Sequence, residues 1–137
     1  MKTTAYYNRI PSSPFETELM PNQSDLLILR DKLRVFAEAR EWDQFHSPKN
    51  LTMALMVEVA ELMEHFQWLT EAQSLELAAE NKTAVGEELA DILLYLIRLA
   101  DKLEVDLQQA ALHKLEKNAV KYPVEQVRGS AKKYSDY

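Results

Sequence analysis

Two acidic pairs, Glu58-x-x-Glu61 and Glu88-x-x-Asp91, stand inside apolar helical patterns where a buried carboxylate needs a reason. A spacing of three sets the members of each pair side by side on one helix face, about one turn apart. Neither pair has a lysine or arginine at the nearby helical spacings. Like charges so placed repel, and four carboxylates facing one another would make a site for a hard divalent cation. Oxygen-only donors favour Mg2+ or Mn2+ over a zinc site of histidine and cysteine. The bland reading is that these acids decorate solvated faces, because E-x-x-E is common in helices. Repetition on two helices favours the metal without establishing that the pairs converge. Glu64 continues the first row, either supporting the ligands or adding a contact, whereas Glu87 points elsewhere.

Lys114, Asn118, Lys121 and Tyr122 form a complementary set on a later helix, with spacings that let part of it face one ligand. Ammonium, amide and hydroxyl groups suit phosphate oxygens, although lysines also gather near helix C-termini because the dipole favours them. Trp42, Phe45, His46, Phe66 and Trp68 flank the helix that carries the first acidic pair. A nucleobase could stack on a ring while His46 meets its edge; core packing is the alternative for Phe66, and an interhelical contact for His46. No glycine-rich phosphate loop and no serine-histidine-acid pattern is present, so P-loop, kinase and serine-hydrolase readings gain no support.

These groups must be held by helices. The 137 residues suit a single domain in which intersubunit packing matters. A net charge of -6 argues against a non-specific nucleic-acid grip. With no cysteine, disulfides and thiolate chemistry are excluded. Without a signal-peptide pattern or an apolar run near 18 residues, the expectation is a soluble, cytoplasmic protein with no membrane partner. Residues 1–23 carry three of the five prolines and no sustained period, which predicts a flexible N-terminal arm. Residues 24–123 read as the helical domain, and residues 124–137 as a basic C-terminal tail in which Arg128, Lys132 and Lys133 could reach a ligand.

Within the domain, Ser24 is the expected cap of a first helix fading near Trp42, and Ser47-Pro48 opens a second with Leu51, Leu55, Val59, Leu62 and Phe66 on one stripe. Thr70 should cap a short helix through Ala79, and Thr83 should start the next. Asp106 with Gln109 has capping-box spacing before a last helix, stopped by Pro123. Almost no β-branched alternation remains, so the fold class is all-α: a bundle of four main helices and one short helix, assembled as a homo-oligomer.

The chain resembles the all-α MazG-like nucleotide pyrophosphohydrolases, in particular the short dCTP-pyrophosphatase-like branch, from about Leu26 to Tyr134. The resemblance is carried by residues 42–51 (WDQFHSPKNL), 58–68 (EVAELMEHFQW), 87–91 (EELAD) and 114–123 (KLEKNAVKYP). It implies cleavage of a nucleoside triphosphate into a monophosphate and pyrophosphate, with Glu58, Glu61, Glu88 and Asp91 holding magnesium. It also implies that Trp42, His46 and Trp68 lie near the base pocket, and that the protein is a homotetramer with sites near subunit boundaries. Glu61 is the expected general base, chosen for its place in the proposed cluster. Lys121 departs from the branch, where arginine is frequent; lysine keeps the charge and loses the bidentate fork. Two other readings stay open: a housecleaning hydrolase for modified nucleotides, and a noncatalytic helical interaction protein.

Overall fold

The computed structural model describes residues 24–131. The expected N-terminal arm, and Lys132 and Lys133 of the tail, lie outside these described residues. Six helices follow in order: α1 Asp25–Glu38, α2 Pro48–Glu64, α3 Glu71–Leu75, α4 Ala79–Lys102, α5 Leu107–Lys121 and α6 Val124–Val127, with a 3-10 turn at Trp42–Phe45 between α1 and α2. No strand occurs among the described residues. No helix among them is long and apolar enough to cross a membrane.

Local signals set several of these boundaries. Ser47 accepts a hydrogen bond from the Asn50 N–H at 3.2 Å, and Pro48 follows at the first helical position, where its missing N–H costs nothing. Thr70 and Gln73 form a full capping box, each side chain bonded to the other's backbone N–H. Asp106 accepts from the Gln109 N–H at 2.9 Å and starts α5. Ser24, by contrast, makes no side-chain cap; only its carbonyl enters the helix ladder.

Three boundaries differ from expectation. α1 stops at Glu38, and Glu41 adopts a left-handed conformation (φ 55°) that redirects the chain into the 3-10 turn. That single reversal lets Trp42 fold back edge-on against Phe36 of α1, ring centroids 5.8 Å apart. α3 ends at Leu75 rather than near Ala79, and α4 begins at Ala79 rather than at Thr83. Thr83 lies inside the helix, with its hydroxyl donating to the Ala79 carbonyl four residues back, so a plausible cap residue is satisfied within the turn instead. After Pro123 the chain makes one further turn, α6.

Packing centres on α2 against α4, with α1 laid on α4. The buried apolar residues are Ala37, Leu51, Ile97 and Ala100, and the buried Arg98 stands among them. This core is small for the number of apolar side chains present. Met53, Met56, Val57 and Met63 of α2, Leu89, Leu93 and Leu96 of α4, and Leu112, Leu115 and Val120 of α5 all remain exposed in the single chain. α5 has no buried residue and no extensive packing partner among the described elements.

Candidate metal centre and nucleotide cleft

α2 and α4 run antiparallel, since Glu58 near the far end of α2 meets Glu88 and Asp91 early in α4, whereas His46 before α2 meets Arg98 late in α4. At the first level, Glu58, Glu88 and Asp91 each bring one carboxylate oxygen within 4.8 Å of the others. None of the three takes part in a salt bridge among the described residues. Burial raises the Glu58 carboxyl above its usual range, and the charges of Asp91, Glu61 and Glu88 push it further the same way. An uncompensated, partly desolvated group of oxygen donors fits a hard divalent cation by its chemistry. Glu61 is exposed and stands outside the three-oxygen group, yet close enough for its charge to be felt at Glu58. Glu64, one turn further along, is exposed at the last position of α2.

A second feature adjoins this one. A cleft of about 270 Å³ is lined by Leu33, Phe36 and Ala37 of α1, Trp42 and His46 of the connection, and Asp91, Leu94, Tyr95 and Arg98 of α4. Asp91 therefore belongs both to the carboxylate group and to the wall of a largely apolar cleft. The connection is held in shape by its own side chains: Gln44 donates to the Glu41 carbonyl at 2.9 Å, and Asn50 donates to the Phe45 carbonyl at 2.9 Å. Leu51, 2% exposed, anchors the start of α2 beneath it. Trp42 and His46 consequently meet edge to face, 6.3 Å between ring centroids.

Not every expected site residue converges. Trp68 lies beyond the other end of α2 and is 86% exposed. A helix of this length spans roughly 25 Å, so Trp42 and Trp68 of one chain cannot flank the same base. Lys114, Asn118, Lys121 and Tyr122 lie along the C-terminal half of α5 and its cap, where Lys121 sits 5.7 Å from the Tyr122 ring; none lines the cleft. Arg128 is exposed just after α6.

The sequence reading missed an ion network at the His46 end of the helix pair. Arg98, 6% exposed, donates from Nε to His46 Nδ1 at 3.2 Å, from one terminal nitrogen to Asp101 at 3.0 Å, and from the other to Asp43. Asp101 also accepts from Arg34 of α1, and Lys102 reaches Asp43 at 2.6 Å. The Arg34 hydrogen bond holds the Asp101 carboxyl below its usual range against the opposing effect of burial. Lys102 does the same for Asp43. Burial, reinforced by the Arg98 charge, lowers the His46 imidazole and so favours its neutral form. The signal that could have revealed the network is Arg98 itself, an arginine directly after Ile97 and one turn on from Leu94, with an aspartate three residues on.

The sequence and the helical architecture find their counterparts in known proteins. The MazG-like family model matches residues 53–137, and the chain belongs to that family. Within it the chain falls in the dCTP pyrophosphatase branch: dCTP pyrophosphatase 1 of Rattus norvegicus is 42% identical over 127 residues, covering 91% of this chain and 73% of the rat protein. The Bos taurus counterpart is 43% identical with the same coverage. A crystal structure of a pyrophosphatase from Archaeoglobus fulgidus superposes with a TM-score of 0.70 at 39% identity, covering 77% of this chain and 99% of that one.

Proposed function

We propose that this chain hydrolyses dCTP, ahead of other nucleoside triphosphates, to the monophosphate and pyrophosphate, with the reacting phosphates over the carboxylate group and the base in the adjoining cleft. Asp91 is the observation that carries this reading, because it is shared by a metal-competent oxygen cluster and a cleft sized for a single ring system. Glu58, Glu88 and Asp91 would hold a magnesium ion, with Glu61 completing the set from one turn away. A bound magnesium ion there would offset charge on the triphosphate and lower the pKa of water. Glu61, exposed beside the cluster, takes the proton as water oxygen bonds to phosphorus and the bridge between the α and β phosphates breaks. Trp42 and Tyr95 bound the base, and His46 meets its edge.

The exposed apolar faces of α2, α4 and α5 support a homo-oligomer, for which a homotetramer is the proposed assembly. Assembly also offers a route for Trp68, and for Lys114, Asn118, Lys121 and Tyr122, to reach a site they do not approach within one chain. Light scattering after size exclusion tests this directly: about four times the 15.8 kDa chain mass is expected, and a monomer overturns it.

Phosphorus NMR of the products decides the reaction. With magnesium, one pyrophosphate per dCTP consumed is expected, and none in a matched EDTA control. Stepwise orthophosphate release rejects the proposed bond cleavage.

A further inference from the structure

Arg98 spends every nitrogen of its guanidinium inside the protein: Nε on His46, one terminal nitrogen on Asp101, the other on Asp43. It is 6% exposed, and turning outward would break its bonds to His46, Asp101 and Asp43 together. It is therefore unavailable as a phosphate clamp, the role most often given to an arginine beside a nucleotide cleft. Its orientation is fixed from three elements, since Asp43 comes from the 3-10 turn, Asp101 from α4, and Arg34 of α1 holds Asp101 in turn. What this rigid group presents to the cleft is one N–H, directed at His46 Nδ1.

We infer that Arg98 is a positioning residue that locks His46 in one tautomer, with Nδ1 accepting and the proton on Nε2, so that the cleft offers a hydrogen-bond donor to an acceptor atom on the base edge. The chemistry is restrictive. Nδ1 cannot carry a proton while it accepts from an arginine N–H, so a neutral ring must carry its proton on Nε2. Among the described residues no protein atom accepts from Nε2, which lies on the ring edge opposite Arg98. His46 lines the same cleft as Trp42, Tyr95 and Asp91. A pyrimidine with acceptors on that edge satisfies the donor; a ligand without a base gains nothing from it. The burial of His46 and the neighbouring positive charge both favour the neutral ring that this arrangement needs.

This inference rests on the proposed nucleotide cleft, and two readouts on the full-length protein separate the two. Nitrogen-15 NMR of the histidine rings should show, for His46, an unprotonated Nδ1 and a protonated Nε2 in the wild type, and averaged tautomers in Arg98→Lys, which keeps the charge but not the Nε geometry. In the same variant, affinity for non-hydrolysable α,β-imido-dCTP should fall about tenfold, while affinity for inorganic tripolyphosphate stays unchanged. A wild-type ring protonated on Nδ1 overturns the inference without any variant having to fold. An equal loss for tripolyphosphate overturns it too, by making Arg98 a phosphate contact. Absence of imido-dCTP binding alongside the single tautomer would refute the substrate reading and leave the Arg98–His46 link standing.

Discussion

The α2–α4 pair carries two charged regions that resolve the same physical problem in opposite ways. Around Arg98, three cations from α1 and α4 meet two aspartates and an imidazole, and every buried polar side-chain atom of the described residues has a partner. About two helical turns closer to the start of α4, measured from Asp91 to Arg98, three carboxylates meet with no ion-pair partner among the described residues. The first region is complete within the protein and serves to hold the cleft's shape. The second has no such counter-charge among the described residues, which is what the proposed cation site requires. A charged cluster is informative about function to the extent that its charges are left unmatched.

The largest effect should come from removing charge where it is unmatched. Glu88→Gln or Asp91→Asn should lower magnesium-dependent kcat/KM by about a hundredfold or more. In EDTA the same variants should melt no earlier than the wild type, because a repulsion has been relieved. Steady-state kinetics paired with thermal unfolding checks both halves, and wild-type turnover in either variant would remove that residue from the site.

The matched region should respond in the reverse sense. Asp101→Asn removes the carboxylate shared by Arg34 and the buried Arg98 and should cost roughly 3 kcal/mol in urea unfolding, with magnesium affinity retained. The pH dependence sharpens the contrast. Asp101 has a depressed carboxyl pKa in the folded state, so its stabilisation is present above the ordinary carboxylate range and is lost as pH falls toward the folded value. Glu58 has a raised one, so in the absence of metal its contribution is best at low pH and is lost as pH rises through the interval between its ordinary and raised values. Subtracting Asp101→Asn and Glu58→Gln stabilities from that of the wild type across pH should give curves of opposite slope. The smallest effect is local: Ser47→Ala should cost about 1 kcal/mol through the lost cap, with the site otherwise intact.

The two regions also differ in how far they could be read from the sequence. Glu58, Glu88 and Asp91 were legible because their spacing is local and repeated, and because the cation that would explain them away is missing nearby. The caps at Ser47, Thr70 and Asp106 were legible for the same reason: each hydrogen bond spans three residues. The network was not, because all its bonds but the local Arg98–Asp101 pair join residues 52 to 67 positions apart, and each charge alone reads as a solvated side chain. The left-handed turn at Glu41 was hidden too, since glutamate carries no signal for that conformation. Thr83 misled because a threonine near a helix start can cap or bond backward, and only the packing of α4 decides between them.

Magnesium titration followed by thermal unfolding tests the central contrast most directly. The wild-type protein and Asp101→Asn should both show a saturable rise in melting temperature with magnesium, the variant from a lower starting point, and Glu88→Gln should show none at the same concentrations. A magnesium-dependent rise that survives in Glu88→Gln, or that is lost in Asp101→Asn while the protein remains folded, would contradict the assignment of the unmatched carboxylates as the cation site.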